Sequence, residues 1–143
     1  MKILFVCKHN RFRSKIAEAY FNKINKNKKI QVKSAGLVTG KKVVLNVVRV
    51  IKSFNGKVDR TSRNLTEDLV RWPDITVIVA NNVPKSFFKN YGSKIIVWKI
   101  PDTTQGNVKE INRISNRIIK KVDKLNKKLE RGRWKLGKLR IVK

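Results

Sequence analysis

The chain has 143 residues, with 36 Lys+Arg against 9 Asp+Glu and a formal net charge of +27. Hydrophobic residues make up 41% of it, enough for a packed core and against a disordered basic tail. One Cys and one His exclude an internal disulfide and a structural zinc cluster, and no apolar run nears the ~20 residues of a membrane span.

In chain order, Ile3-Leu4-Phe5-Val6 reads as a strand buried on both faces. The start from Met1 is too short and too quickly charged for a signal peptide, so a cytoplasmic protein without membrane contact is expected. From Ser14 to about Lys26, Ile16, Ala17, Ala19, Tyr20, Phe21 and Ile24 recur at helical spacing. Ile30 to Lys33 alternates as a short strand, which Ser34-Ala35-Gly36 ends. Lys42 to Phe54 carries a helical stripe of Val and Ile, with Gly56 as its stop. Ile75 to Val79 is a second buried strand, Pro84 leads into a short helix through Phe87 and Phe88, and Ile95 to Trp98 is a further strand. A long amphipathic helix is predicted from about Val108 to Leu129.

Strands separated by helices predict an α/β fold with a central four-stranded parallel sheet flanked by helices in three layers. Ligands of such folds sit at the carboxyl ends of the strands, where strand order reverses. Cys7 ends the first strand, so the only cysteine falls where a ligand is expected. The loop Cys7-Lys8-His9-Asn10-Arg11-Phe12-Arg13-Ser14 then leads into a helix start. Its backbone N–H groups and the helix terminus can surround an anion, and a thiol in that field is expected to ionise near neutral pH. Arg13 offers a planar fork for two phosphoryl oxygens. Phe12 is expected either to wall the site or to pack beneath the loop.

Cys-x5-Arg-Ser directly after the first strand resembles the low-molecular-weight protein tyrosine phosphatases and the arsenate reductases of the same fold. Ser34-Ala35-Gly36 is similar to that family's Ser-Ala motif, Arg63-Asn64-Leu65-Thr66 to its Arg-Gln-Leu-Thr segment, and Asp102 falls at its general acid. The resemblance implies a phosphomonoesterase, and within that class a protein tyrosine phosphatase. Cys7 would be the nucleophile, Arg13 the clamp and Asp102 the acid and base, with Glu110 or Asp74 as substitutes. Residues Lys8, His9, Asn10, Arg11, Phe12, Arg13 and Ser14 would bind phosphate. Ser14 would hydrogen-bond the sulfur, Asn10 would hold a left-handed turn, and Ser34 would brace Asn10. No metal or cofactor is called for.

The sequence departs from the family in ways that bear on substrate. Asp102-Thr103-Thr104 lacks the Pro and Tyr common at the acid loop, and Val38 to Lys41 lacks the aromatic wall. Arg60 stands where a His is often found. Expected substrates are phosphorylated proteins or small phosphate esters. The alternatives are an arsenate reductase using an external thiol donor and a catalytically weak anion- or nucleic-acid-binding module. Lys and Arg run from Lys2 to Lys143 rather than forming one arm, which makes nucleic acid or another polyanion a secondary partner. Residues 1–131 are read as the domain, and 132–143 as a basic and apolar extension packed on it.

Overall fold

The computed structural model describes residues 1–40 and 42–132, together with the backbone of 135–136 and 139–140. Strand β1 (Lys2–Cys7) leads to helix α1 (Arg13–Ile24), β2 (Gln31–Gly36), α2 (Leu45–Ser53), α3 (Glu67–Arg71) and β3 (Ile75–Val79). A 3-10 turn at Lys85–Phe88 precedes β4 (Lys94–Trp98) and α4 (Val108–Glu130). Two short strands, β5 (Lys135–Leu136) and β6 (Leu139–Arg140), pair antiparallel. The expected packing of an extension at 132–143 falls, beyond Gly132, on side chains outside the described residues.

The main sheet has the order β2-β1-β3-β4, and every neighbouring pair is parallel. Alternation along β1 sends Ile3 and Phe5 into one core and Leu4 and Val6 into another. The larger core gathers Ile16 and Phe21 of α1, Val47 and Ile51 of α2, and Ile111, Ile118 and Leu125 of α4. Phe5 meets Phe21 and Trp98 there, with ring centroids 6.2 and 6.0 Å apart. The smaller core sets Leu4, Val6 and Ile78 against Val70 and Phe88. The sheet is thus covered on both faces, which explains why β1 and β3 read as unbroken apolar runs. Among the described residues no helix is long and apolar enough to cross a membrane.

Several boundaries differ from the sequence expectation. Strand β2 continues through Ser34-Ala35-Gly36 instead of ending there, because those residues pair with Phe5, Val6 and Cys7 and are buried. Helix α2 begins three residues after Lys42, since Val44 is extended (ψ 161°). Helix α3 was not expected. It is too short to show a period, but Thr66 caps it by accepting from Leu69 N–H at 3.2 Å, with Glu67 and Asp68 in its first turn. In the long helix, Asn107 caps by accepting from Glu110 N–H at 3.1 Å. The Tyr20 hydroxyl donates to Asp123 at 3.0 Å and ties α1 to α4. Burial first, and then Asp123, keep that phenol protonated above its ordinary range.

From β1 the chain crosses to β2 on one side and afterwards to β3 on the other, so strand order reverses at β1. The loop after Cys7 lies at this switch point and rests against the end of β2. A Cβ on Gly36 would sit 2.7 Å from both Asn10 N and His9 C. Gly36→Ala should therefore lower stability by about 1–3 kcal/mol in chemical denaturation, the usual cost of overpacking. An unchanged denaturation midpoint would show that the loop does not lean on β2.

Candidate active site

Cys7 is buried at the end of β1, and its sulfur receives two contacts. The backbone N–H of Asn10 donates to Sγ at 3.3 Å, and Ser14 Oγ lies 3.0 Å away. Asn10 itself is left-handed (φ 52°) and fully buried. Asn accepts this conformation at lower cost than most residues, and here its side chain is bonded at both ends. Nδ2 donates to Ser14 Oγ at 2.8 Å and to Ser34 Oγ at 2.9 Å, while Oδ1 accepts from Arg63 N–H at 2.7 Å. The segment around Arg63 is in turn tied to β2, with Gly36 N–H on Arg63 O at 2.9 Å and Leu65 N–H on Gly36 O at 2.8 Å.

The remaining loop residues divide by direction. Phe12 is buried in the larger core, so of its two expected placements it takes the one beneath the loop. Lys8 is exposed, Arg11 is half-buried, and His9 Nδ1 donates to Val38 O at 2.8 Å. Val38 N–H returns a bond to Lys8 O at 2.9 Å, which fixes this side of the rim. Val38 is 57% exposed and offers no aromatic surface.

Arg13 opens α1 and is only 1% exposed. A buried guanidinium needs acceptors. Arg13 finds Ile100 O at 2.9 Å, Asn82 Oδ1 at 3.1 Å and Asp102 Oδ2 at 3.4 Å. The fork is thus held by the segments that follow β3 and β4. Asp102 also accepts from Thr103 N–H at 2.8 Å, and its carboxylate faces Arg13 from the exposed segment after β4. The two substitute acids lie elsewhere. Asp74 accepts from Lys2 N–H at 2.8 Å at the opposite end of the sheet. Glu110 is engaged by Arg113 at 2.6 Å, and that bond holds its carboxyl below the ordinary range. Of the three acids, Asp102 is the one beside Arg13.

Sequence reasoning missed three contributors. Glu18 accepts from the Ser34 hydroxyl at 2.6 Å, Asn82 takes Arg13, and Arg63 acts through its backbone N–H on Asn10 and its guanidinium on Ser34 O at 3.4 Å. Glu18 lies one helical turn after Ser14, which puts both on one face of α1. Backbone donation carries no side-chain signal. Arg60 donates from Nε to Val43 O at 2.9 Å.

A buried thiol at the start of a loop, with an arginine fork and a carboxylate beside it, is an arrangement suited to a cysteine nucleophile acting on an oxyanion. The sequence pattern described as low molecular weight phosphotyrosine protein phosphatase matches residues 2–135, and the chain belongs to that family. Solved structures agree in fold. An arginine phosphatase, YwlE, from Geobacillus stearothermophilus superposes with a TM-score of 0.80 at 20% identity, covering 90% of this chain and 92% of that one. A low molecular weight protein tyrosine phosphatase from T. tengcongensis gives 0.78 at 24% identity, covering 90% and 99%. An arsenate reductase from Archaeoglobus fulgidus gives 0.69 at 25% identity, covering 87% and 98%. No curated protein sequence matches the chain. Family membership supports phosphatase activity that uses cysteine.

The left-handed turn yields a stability prediction. Asn10→Gly and Asn10→Ala both lose the side-chain bonds, but only Ala also meets the left-handed penalty. Asn10→Ala should be less stable than Asn10→Gly by about 1–2 kcal/mol in urea denaturation. Equal stabilities would contradict a strained turn at this position.

Proposed function

We propose that the chain is a phosphomonoesterase of the tyrosine phosphatase type, working through a cysteinyl-phosphate. One observation carries the reading: the Cys7 sulfur is held by Asn10 N–H and Ser14, inside the loop whose closing Arg13 is 3.4 Å from Asp102. In the first step the thiolate attacks phosphorus in line, an S–P bond forms and the ester P–O bond breaks. Asp102, entering as the neutral acid, gives its proton to the leaving oxygen. In the second step Asp102 takes a proton from water, the water oxygen attacks phosphorus, and the S–P bond breaks to return the thiolate and release phosphate. The backbone N–H groups of residues 8–13 and the Arg13 fork hold the equatorial oxygens as charge shifts. Ser14 holds the thiolate, and Asn10 and Ser34 hold the loop. None of these roles uses a metal.

Phosphotyrosine is the substrate that the family supplies. Val38 and Thr103 offer the ring little aromatic surface, so binding relies on the phosphoryl group and on the basic rim of Lys8 and Arg11. An arsenate reductase on this site would draw on an external thiol, since Cys7 is the only cysteine in the 143 residues.

The test is hydrolysis of an aryl phosphate, phosphotyrosine peptide and phosphoarginine, with arsenate reduction assayed alongside. Cys7→Ser should abolish hydrolysis, and Asp102→Asn should lower kcat about 10²–10⁴-fold. Clean wild-type protein inert towards every phosphate substrate, or an active Cys7→Ser variant, would overturn the proposal. A second expectation comes from the +27 charge. Steering of anionic substrates makes kcat/KM fall as ionic strength rises, with kcat nearly constant. A salt-independent kcat/KM would remove the charge from the account.

A further inference from the structure

The hydrogen bonds around Asn10 form a chain with a direction. Arg63 N–H can only donate, and it meets Asn10 Oδ1 at 2.7 Å. The amide must therefore turn Nδ2 towards Ser14 (2.8 Å) and Ser34 (2.9 Å), and both hydroxyl oxygens accept from it. Each serine then has one hydrogen left to place. For Ser34 the partner is Glu18 Oε1 at 2.6 Å, and an ionised carboxylate can only accept. For Ser14 the partner is Cys7 Sγ at 3.0 Å.

We propose that Glu18 is a positioning residue for the nucleophile. By taking the Ser34 hydrogen it keeps the Ser34 oxygen turned to accept from Asn10 Nδ2, and so holds in place the amide that also donates to Ser14, the serine facing the Cys7 sulfur. This rests on the reading of Cys7 as nucleophile. A donor-only group stands at one end and an acceptor-only group at the other. Without the acceptor, the Ser34 hydrogen has no partner on Glu18 and turns against the Asn10 amide hydrogens. The amide then loosens at the residue that holds the left-handed turn.

Glu18 is suited to testing because it is not enclosed by the core. It opens onto a cavity of about 490 Å³ lined by Lys15, Asn22, Lys23, Ile51 and Asp59. Side chains of similar size can be accommodated there. The aliphatic variant Glu18→Leu removes the acceptor, whereas Glu18→Gln keeps one oxygen that can still accept from Ser34.

Two readouts separate positioning from folding. The first is the rate of Cys7 alkylation by iodoacetamide at pH 6 relative to pH 9, which reports thiolate and needs no phosphatase activity. The second is kcat and KM on an aryl phosphate. Glu18→Leu should lower the alkylation ratio about fivefold, the worth of one hydrogen bond. It should also lower kcat at least as much, with KM within about twofold by the same reasoning. Glu18→Gln should stay near wild type in both. If Glu18→Leu fails to fold, Ser34→Ala breaks the same link from the other side and should give the same loss. A folded Glu18→Leu or Ser34→Ala with wild-type alkylation ratio and kcat would overturn the proposal. If wild type alkylates with the predicted dependence on Glu18 but hydrolyses no phosphate ester, the phosphatase reading fails and the positioning role stands.

Discussion

The side-chain amide of Asn10 is the point on which the site turns. It sits in a left-handed loop residue, fully buried, and reaches β2 through Ser34, the segment before α3 through Arg63, and α1 through Ser14. A loop that wraps an anion must aim several N–H groups inwards and cannot pair them with one another. Its shape has to be imposed from outside. Three separate parts of the chain do this through one carboxamide. They lie from Ser14 to Arg63 in sequence, so the shape of the loop depends on contacts between separate elements.

The same logic governs Arg13. A guanidinium inside the protein costs several kcal/mol unless its donors are met. Here they are met by Ile100, Asn82 and Asp102, which follow β4, β3 and β4 respectively. The switch point of the sheet brings these loop ends to the carboxyl end of β1. Few acids are present in this basic chain, and several hold specific positions: Glu18 on Ser34, Asp59 beside Lys15, Asp74 at the start of β1, and Asp102 on Arg13. The excess positive charge is left as a long-range field. In the proposed reaction that field acts on substrate capture, and the bond-making chemistry is assigned to local contacts.

Much of this was legible in the residues. The apolar runs of β1 and β3 and the stripe of α4 identify a covered parallel sheet, because each period matches its environment. Cys7, Asn10, Arg13 and Ser14 are contiguous, so one loop reveals them. Asp102 and Ser34 became candidates through the family's motif order, since neither residue alone carries a distinguishing pattern. Helix α3 escaped because five residues hold no period, although Thr66 followed by two acids marks its start. Glu18 belongs to the segment Lys15-Ile16-Ala17-Glu18-Ala19 that resembles the family's, but the residues alone assign it no role. Its partner lies on β2, and contacts between elements distant in sequence leave no local trace. The Arg63 bond to Asn10 is invisible for another reason: a backbone N–H is the same at every non-proline residue.

The account stands or falls on a phosphoryl group passing through Cys7. Rapid acid quench of the enzyme during turnover of an aryl phosphate, followed by mass spectrometry of the Cys7 peptide, measures this directly. The account predicts one added phosphoryl group on that peptide, accumulating in Asp102→Asn with a substrate whose leaving group needs no protonation. Steady phosphate release with no phosphoryl group on the Cys7 peptide would contradict it.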